Sequence, residues 1–271
     1  MRNPDLSFYG SDAQRALLQR GADLHAITRD QKHLTYYGRT VGVASVNDAP
    51  LSTMLALARL QGNSNIADVA DADMPDLKST VREQCFSPVH YAKWKGGREA
   101  IDLARATIAN YDLPAAYRLE WLDRLSSAAL RQTLADTCLS CSVLPPSLAV
   151  LSGETQPGVC AITLHASGEV AGCAAAASYL HPEHPDGRTV CWWGMLAVHP
   201  DHRGQALSLY LGAEAIVEMH KRYGFAAFFT GVEPGNAPSE AICTKMGLAR
   251  EGRSILGAAD ASLIPGGRMT K

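Results

Sequence analysis

The chain has no basic block, no acidic tail and no long apolar run. Its 25 lysines and arginines nearly balance 27 aspartates and glutamates, for a net charge of −2. Neither sign is gathered into one stretch, so nothing favours nucleic acid or a charged membrane surface as partner. No apolar segment reaches the roughly eighteen residues needed to span a bilayer. Residues 1–7, Met-Arg-Asn-Pro-Asp-Leu-Ser, lack the apolar stretch of a secretory signal. The expectation is a soluble cytoplasmic protein without nucleic-acid or membrane partners. Metal chemistry is poorly served as well. Cys138-Leu-Ser-Cys141 has no second CxxC or CxxH to complete a zinc site, and it lacks the strand-to-helix setting of a thioredoxin motif. The cysteines number seven. Cys160, Cys173 and Cys191 lie in apolar strand-like runs, where a free thiol behaves as a small hydrophobe. No metal is expected.

With 271 residues, 46% of them hydrophobic, the chain can bury a substantial core as one large domain or two small ones. Residues 1–63 carry a helix from Asp12 to Gln19, a strand-rich alternating segment from His33 to Val46 and a helix from Leu51 to Leu60. Gly62-Asn-Ser-Asn65 reads as a linker. Helical segments are expected near 76–85, 95–111 and 115–137, the last with Tyr117, Trp121, Leu122 and Leu125 on its apolar face. Strands follow at Val159–His165 and Glu169–Tyr179 around the compact turn Ala166-Ser-Gly168. His181–Gly187 is a loop. The tail beyond Gly257 is small and polar, ends Pro265-Gly-Gly and is expected to be loosely held.

The densest signal runs from Val190 to Gly247. Val190–Val198 is nearly all apolar, as a strand buried on both faces would be. It stops at His199-Pro200, and Gly204 then opens an amphipathic helix in which Leu207, Leu211, Ala215 and Met219 share one face. His220, Lys221 and Arg222 suit the negative end of that helix and Gly224 its stop. The unpaired N–H groups and positive dipole at its start favour a bound anion, phosphate above all. A further strand, Ala226–Val232, leads through Glu233-Pro-Gly-Asn236 into a short helix over 237–246. Asn236 fits its N-cap, Pro238 its first turn and Gly247 its stop.

Together these residues resemble the acyl-CoA-binding core of the GNAT-type N-acetyltransferase superfamily. That family's pattern is a strand ending V-x-P, then R-G-x-G-x-G/A opening a helix, and later N-x-x-[AS] before a helix ending K-x-G-[FLM]. Here stand Val198-His-Pro200, Arg203-Gly-Gln-Ala-Leu-Ser208, Asn236-Ala-Pro-Ser239 and Lys245-Met-Gly-Leu248. The resemblance implies an α/β (α+β) fold with a mixed, mostly antiparallel sheet flanked by helices. It implies a GNAT domain over 64–258 with its motif core at 157–256. Residues 1–63 would be either an N-terminal extension or a degenerate GNAT-like half, and 259–271 a C-terminal tail. Ile66–Pro75 loosely resembles the family's first strand and helix start.

The implied activity is acyl-CoA-dependent N-acyl transfer, with acetyl-CoA or another acyl-CoA as donor and no metal. A small-molecule amine would attack the thioester directly in a ternary complex. By resemblance, Leu196, Ala197 and Val198 pair with the pantetheine arm. Arg203, Gly204, Gln205, Ala206, Leu207 and Ser208 cradle the pyrophosphate, and Asn236 and Ser239 flank the cofactor. Ala206 and Ser208 stand where the family usually has small, mostly glycine residues, and a methyl at Ala206 could crowd the phosphates. Cys243 replaces a frequent family tyrosine that protonates the leaving thiolate. It reads either as that acid or as a small buried residue, and the thiolate could also be protonated by water. Trp192-Trp193-Gly-Met195 offers no carboxylate where many members carry the base. Glu233 is the first candidate for that base, and a solvated loop glutamate is the plain reading. Tyr179, His165 and His199 are lesser candidates. Trp192 and Trp193 must face opposite sides of their strand. Aromatic residues at 91, 94, 111, 117 and 121, on the helices expected there, suit either an acceptor wall or a helical core. A degenerate domain that senses acyl-CoA, or a protein or peptide N-acetyltransferase, are the competing readings. Such folds often dimerise through sheet edges, which keeps a homodimer among the open oligomeric states.

Overall fold

The strands of this chain are ordered by where their unpaired edges and apolar faces find partners, and the result is one continuous mixed sheet. The computed structural model describes residues 8–263; the end of the tail, from 264 on, lies outside them. In chain order the elements are α1 (Asp12–Thr28), β1 (Leu34–Thr35), β2 (Gly42–Val43), α2 (Leu51–Gln61), β3 (Asn63–Ala70), α3 (Met74–Glu83), β4 (Ser87–Gly96) and α4 (Arg98–Ala109). They continue as β5 (Tyr117–Trp121), α5 (Ala128–Ser140), α6 (Leu148–Leu151), β6 (Gly158–His165), β7 (Val170–Ser178), β8 (Val190–Val198), α7 (Leu207–Tyr223), β9 (Ala227–Val232), α8 (Ala237–Lys245) and β10 (Ala249–Ala259). The sheet order is β1-β2-β3-β10-β4-β9-β8-β7-β6-β5. Only β2/β3 and β8/β9 pair in parallel. This is the mixed, mostly antiparallel sheet flanked by helices that the motifs implied.

Core residues alternate between the two faces of the sheet. Cys160, Ile162, Trp192 and Met195 join one apolar cluster, with Met54 of α2 and Leu134 of α5. Val159, Ala161, Cys191 and Trp193 join the other, beneath Leu211, Ile216 and Met219 of α7 and Ile101 of α4. Period-two alternation with both faces covered explains why β6 to β8 read as unbroken apolar runs. The alternation slips once. After Trp193 the side chains of Leu196 and Val198, not Met195 and Ala197, face α7. The slip falls where the β7–β8 register shifts and where Met195 takes a φ of +56°, the signature of a bulge.

Several elements differ from the sequence expectation. The segment 115–137 is not one helix: Tyr117–Trp121 pairs with β6 as an edge strand, and Ser127 caps a helix that begins at Ala128. Strand β4 was not expected at all. The linker expected at Gly62–Asn65 is a left-handed helix stop at Gly62 followed at once by β3, whose Asn63 and Ser64 are buried. The segment His33–Val46 holds only two two-residue strands. Ile66–Pro75 belongs to β3 and α3, while β5 precedes the α5–α6–β6 run. The helix expected to open at Gly204 starts at Leu207.

The order β2–α2–β3–α3–β4 repeats the order β8–α7–β9–α8–β10. In each, a helix follows the first of two parallel strands, and a second helix leads to a strand that crosses over. Strand β4 crosses to lie beside β9, and β10 crosses to lie beside β3. The crossing is tied by charge. Asp68 on β3 accepts from Arg253 Nη2 of β10 at 2.8 Å and from Lys93 Nζ of β4 at 3.1 Å. Burial alone would raise the Asp68 carboxyl, but Arg253 and Lys93 outweigh it and hold it below its ordinary value. Burial keeps the Lys93 ammonium low in spite of Asp68.

A carboxyl whose folded value is depressed adds stability above its unfolded pKa and loses it as pH falls through the folded one. Asp68→Asn is therefore expected to cost about 1–2 kcal/mol at neutral pH. Denaturant titrations of both proteins should show that gap closing below about pH 4; a gap that persists in acid would assign the loss to packing instead.

Candidate active site

The parallel ladder of β8 and β9 is short. It joins Val190 to Ala227, Cys191 to Phe228 and Trp192 to Phe229, and beyond Trp192 the strands part. A cavity of ≈ 370 Å³ opens in the gap. Its walls include Gly194, Met195 and Leu196 from β8, Thr230 and Val232 from β9, and Glu233, Asn236, Ser239 and Cys243 at the start of and along α8. The edge of β8 from Trp193 to Val198 has no β9 partner. It can accept an extended arm as an added strand. The carbonyl of Val198 is already engaged, accepting from Cys141 Sγ at 3.2 Å and from Arg203 Nε at 3.2 Å.

Past Val198 the chain makes a short 3-10 turn, Pro200–His202, begun by His199, whose ring accepts from the Asp201 N–H. Arg203 is extended, Gly204 sits at φ +82° and Ala206 at φ +54°. Ala206 is the N-cap of α7 and offers no side-chain cap. Leu209 and Tyr210 N–H turn back to the Ala206 carbonyl. Among the described residues, no protein acceptor is bonded to the N–H groups of Gly204, Gln205, Ala206, Leu207 and Ser208. Residues 203–206 are exposed. Such a run at the positive end of a helix of about four to five turns suits a diphosphate. The loop is held from behind: Tyr111 Oη donates to the Gln205 carbonyl at 2.7 Å, and Gln205 Nε2 donates to Tyr117 Oη at 2.9 Å.

Of the residues singled out from sequence, Leu196, Glu233, Asn236, Ser239 and Cys243 share the cavity wall. Arg203 to Ser208 form the adjoining loop, and Ala197 packs into the core with its side chain turned from α7. Asn236 caps α8, its side chain accepting from Ser239 N–H. Glu233 is exposed. Cys243 is 2% exposed, and burial pushes its thiol up to about 12, with the Glu240 charge adding to the effect. A thiol so raised stays protonated. Passing its proton to an ordinary alkyl thiolate runs uphill by roughly three pKa units, about 4 kcal/mol. The buried-residue reading of Cys243 suits that better than the acid. The two tryptophans part as adjacent strand residues must. Trp193 donates from Nε1 to the Gly212 carbonyl at 3.0 Å under α7, and Trp192 lines the cavity.

Sequence reasoning missed the opposite wall. Tyr37, Arg39, Asn63 and Asn65, all from the first quarter of the chain, line the same cavity, as does Tyr91 of β4. The Tyr37 ring lies tilted between those of Trp192 at 4.7 Å and Tyr179 at 5.3 Å, and Tyr179 Oη donates to Asn65 Oδ1 at 2.8 Å. Only a buried location distinguishes these residues, and no local motif announces one. Of the five aromatic residues expected to wall the acceptor, Tyr91 does. Tyr111 and Tyr117 brace the phosphate loop instead, through the bonds to Gln205 described above.

One group of side chains could hold a metal. Ligand atoms of His165, Glu169 and His202 lie within 4.8 Å of one another beside the loop. His165 Nδ1 is engaged by Ser167 at 2.8 Å and His202 Nδ1 by Tyr117 Oη at 3.1 Å.

A sheet parted beside exposed N–H groups at a helix start is a setting that suits a phosphorylated ligand. Residues 128–248 match the Acetyltransferase (GNAT) family; this segment of the chain is a GNAT acetyltransferase domain, the fold of acyl-CoA-dependent acyltransferases. No curated protein matches the chain. Solved structures agree with the fold. A tandem GNAT protein from the clavulanic acid biosynthesis pathway is 15% identical with a TM-score of 0.52 over 76% of this chain; the chain spans 66% of that protein's length. A GCN5-related N-acetyltransferase from Kribbella flavida is 12% identical, with a TM-score of 0.52 over 90% of this chain and 95% of its own. A GCN5-related N-acetyltransferase-like protein from Streptococcus suis is 14% identical, with a TM-score of 0.52 over 83% of this chain and 82% of its own. Among the described residues, no helix is long and apolar enough to cross a membrane.

The cradle tests its own departure from the family pattern. An alanine held in the left-handed region costs about 1 kcal/mol relative to glycine, part of it returned by the stiffer unfolded chain. Ala206→Gly is expected to raise stability by up to about 1 kcal/mol in denaturant titrations. Lower stability would mean that Ala206 is not strained.

Proposed function

We propose that this protein transfers an acyl group, acetyl first of all, from acyl-CoA to the amine of a small molecule. The observation that carries the reading is the run of unpaired N–H groups from Gly204 to Ser208 beside the parted strands β8 and β9. The run would take the diphosphate and the free edge of β8 the pantetheine arm, so that the thioester reaches the cavity between the strands. A cavity of ≈ 370 Å³ matches a small acceptor better than a folded protein's lysine.

The chemistry asked of the protein is modest. The amine nitrogen attacks the thioester carbon, the C–N bond forms and the C–S bond breaks. The ammonium proton has to leave first, and Glu233 at the cavity rim accepts it directly or through water. The thiolate takes its proton from water, since Cys243 is too weak an acid. Residues 34–96 supply the mirrored β2–α2–β3–α3–β4 unit, which we read as a second, degenerate copy of the fold. Its β2–α2 connection, Ala44-Ser-Val-Asn-Asp-Ala-Pro50, has no glycine-rich cradle. It shapes the acceptor side and leaves cofactor binding to the other copy.

Calorimetric titration with acetyl-CoA tests the reading. Binding in the micromolar range is expected, weakened at least about tenfold by Arg203→Glu, which turns an attractive charge repulsive at the diphosphate. No binding of any acyl-CoA would sink it. Thiol-release assays over a panel of amines separate an enzyme from a sensor, which binds without turnover. With a productive amine, Glu233→Gln is expected to lower kcat about a hundredfold, and Cys243→Ala to leave it within about threefold.

A further inference from the structure

Arg39 is a buried cation with no counter-ion among the described residues. It is 9% exposed, on the connection between β1 and β2. Its guanidinium donates from Nη1 to Tyr37 Oη at 3.1 Å and from Nη2 to the Leu144 carbonyl. Both acceptors are neutral. Its Nε is buried and bonded to no described residue. Among the described residues, no carboxylate lies within 4.0 Å of it. Two half-buried cations are paired, by contrast: Lys93 with Asp68 at 3.1 Å and Arg131 with Glu154 at 3.5 Å.

An arginine cannot shed its proton, and an unpaired charge taken out of water costs several kcal/mol. The fold nevertheless holds this one in place. The preceding Gly38 sits at φ +94°, its carbonyl accepts from Ser147 N–H at 2.7 Å, and an added Cβ would stand 3.0 Å from Pro146 and from Ser147. The guanidinium lies 5.4 Å from the Tyr37 ring centroid and 5.9 Å from that of Trp192. It lines the same cavity as Met195 and Glu233. Within that lining it is the single lysine or arginine; Asn63 and Asn65 add neutral donors.

We infer that Arg39 binds a carboxylate of the acceptor, and that the acceptor is a free amino acid or a similar small amino-carboxylate. A monoanion matches one guanidinium, and a fork of N–H groups is built for a carboxylate. The aromatic flank of Tyr37, Tyr179, Trp192 and Phe229 takes an apolar side chain. The cavity is small enough that a molecule anchored there also presents its amine to the parted strands. The inference rests on the acyl-transfer reading for the fate of the amine, but not for the carboxylate.

The experiment is calorimetric titration of the full chain with L-leucine, L-phenylalanine and L-glutamine, each against its carboxamide, with and without saturating CoA. The free acid of at least one is expected to bind about tenfold or more tightly than its amide. Arg39→Met should erase that preference, and Arg39→Lys should keep part of it, since charge survives and the fork does not. Because truncating a buried cation can unfold a chain, the acid–amide comparison on the unaltered protein decides by itself. Equal binding of acid and amide, binding of neither, or a preference that survives in folded Arg39→Met overturns the inference. CoA binding without acid preference leaves acyl transfer standing and removes the anchor. An Arg39-dependent preference without CoA binding does the reverse.

Discussion

Two parallel strands that pair for three residues and then separate set the rest of this structure. Parallel pairing of β8 and β9 requires a crossover connection between them, and here that connection is the helix α7. Its start therefore falls at the end of β8 where the strands diverge. The helix dipole, the unpaired N–H groups and the gap in the sheet are thus consequences of a single topological choice. The bulge at Met195 follows from it too. It turns the distal half of β8 so that Leu196 and Val198 pack toward α7 while the strand's free edge faces the gap. Remove the divergence and there is neither a cavity nor an edge to extend.

The gap would be open on its far side were it not for the first part of the chain. Tyr37, Arg39, Asn63 and Asn65 close it, and β4 lies beside β9 where a strand of the same unit would otherwise be expected. The N-terminal region therefore contributes to the site as well as to the sheet. Its own parallel pair, β2 and β3, is too short to open a comparable gap. The division of labour is physical: one unit supplies the exposed N–H groups at a helix start, the other a wall with charge and aromatic surface.

How much of this could be read in the sequence depended on whether a residue's environment was local. The boundaries of β8, β9 and α8 and the end of α7 were legible because caps at Gly224, Asn236 and Gly247 and a strand covered on both faces leave local marks. Strand β5 was misread because Tyr117 and Trp121 are four residues apart, a spacing shared by one helical turn and by two steps of a strand. Strand β4 was invisible for a different reason. It is central in the sheet yet carries Lys93 and Lys95, and Lys93 is tolerated through Asp68, which lies on another strand. Arg39 could not be picked out either. What sets it apart is the lack of a nearby carboxylate, and that appears only when the chain is folded. Ala206 and Ser208 were legible as departures, but the left-handed turn at Ala206 gives the methyl a different meaning: local strain, with the side chain exposed.

The exchange of β4 and β10 also governs the order in which the protein can assemble. Strand β4 takes β9 and β10 as its neighbours, and both are made long after it leaves the ribosome. Until residues 227–259 exist, strand β4, central in the sheet, has two bare edges. The first unit cannot close as an independent nucleus during synthesis, so folding must wait for contacts of long sequence separation, the slow kind. The nascent chain thus carries an exposed strand edge through most of its elongation, the state in which chaperones recognise their clients.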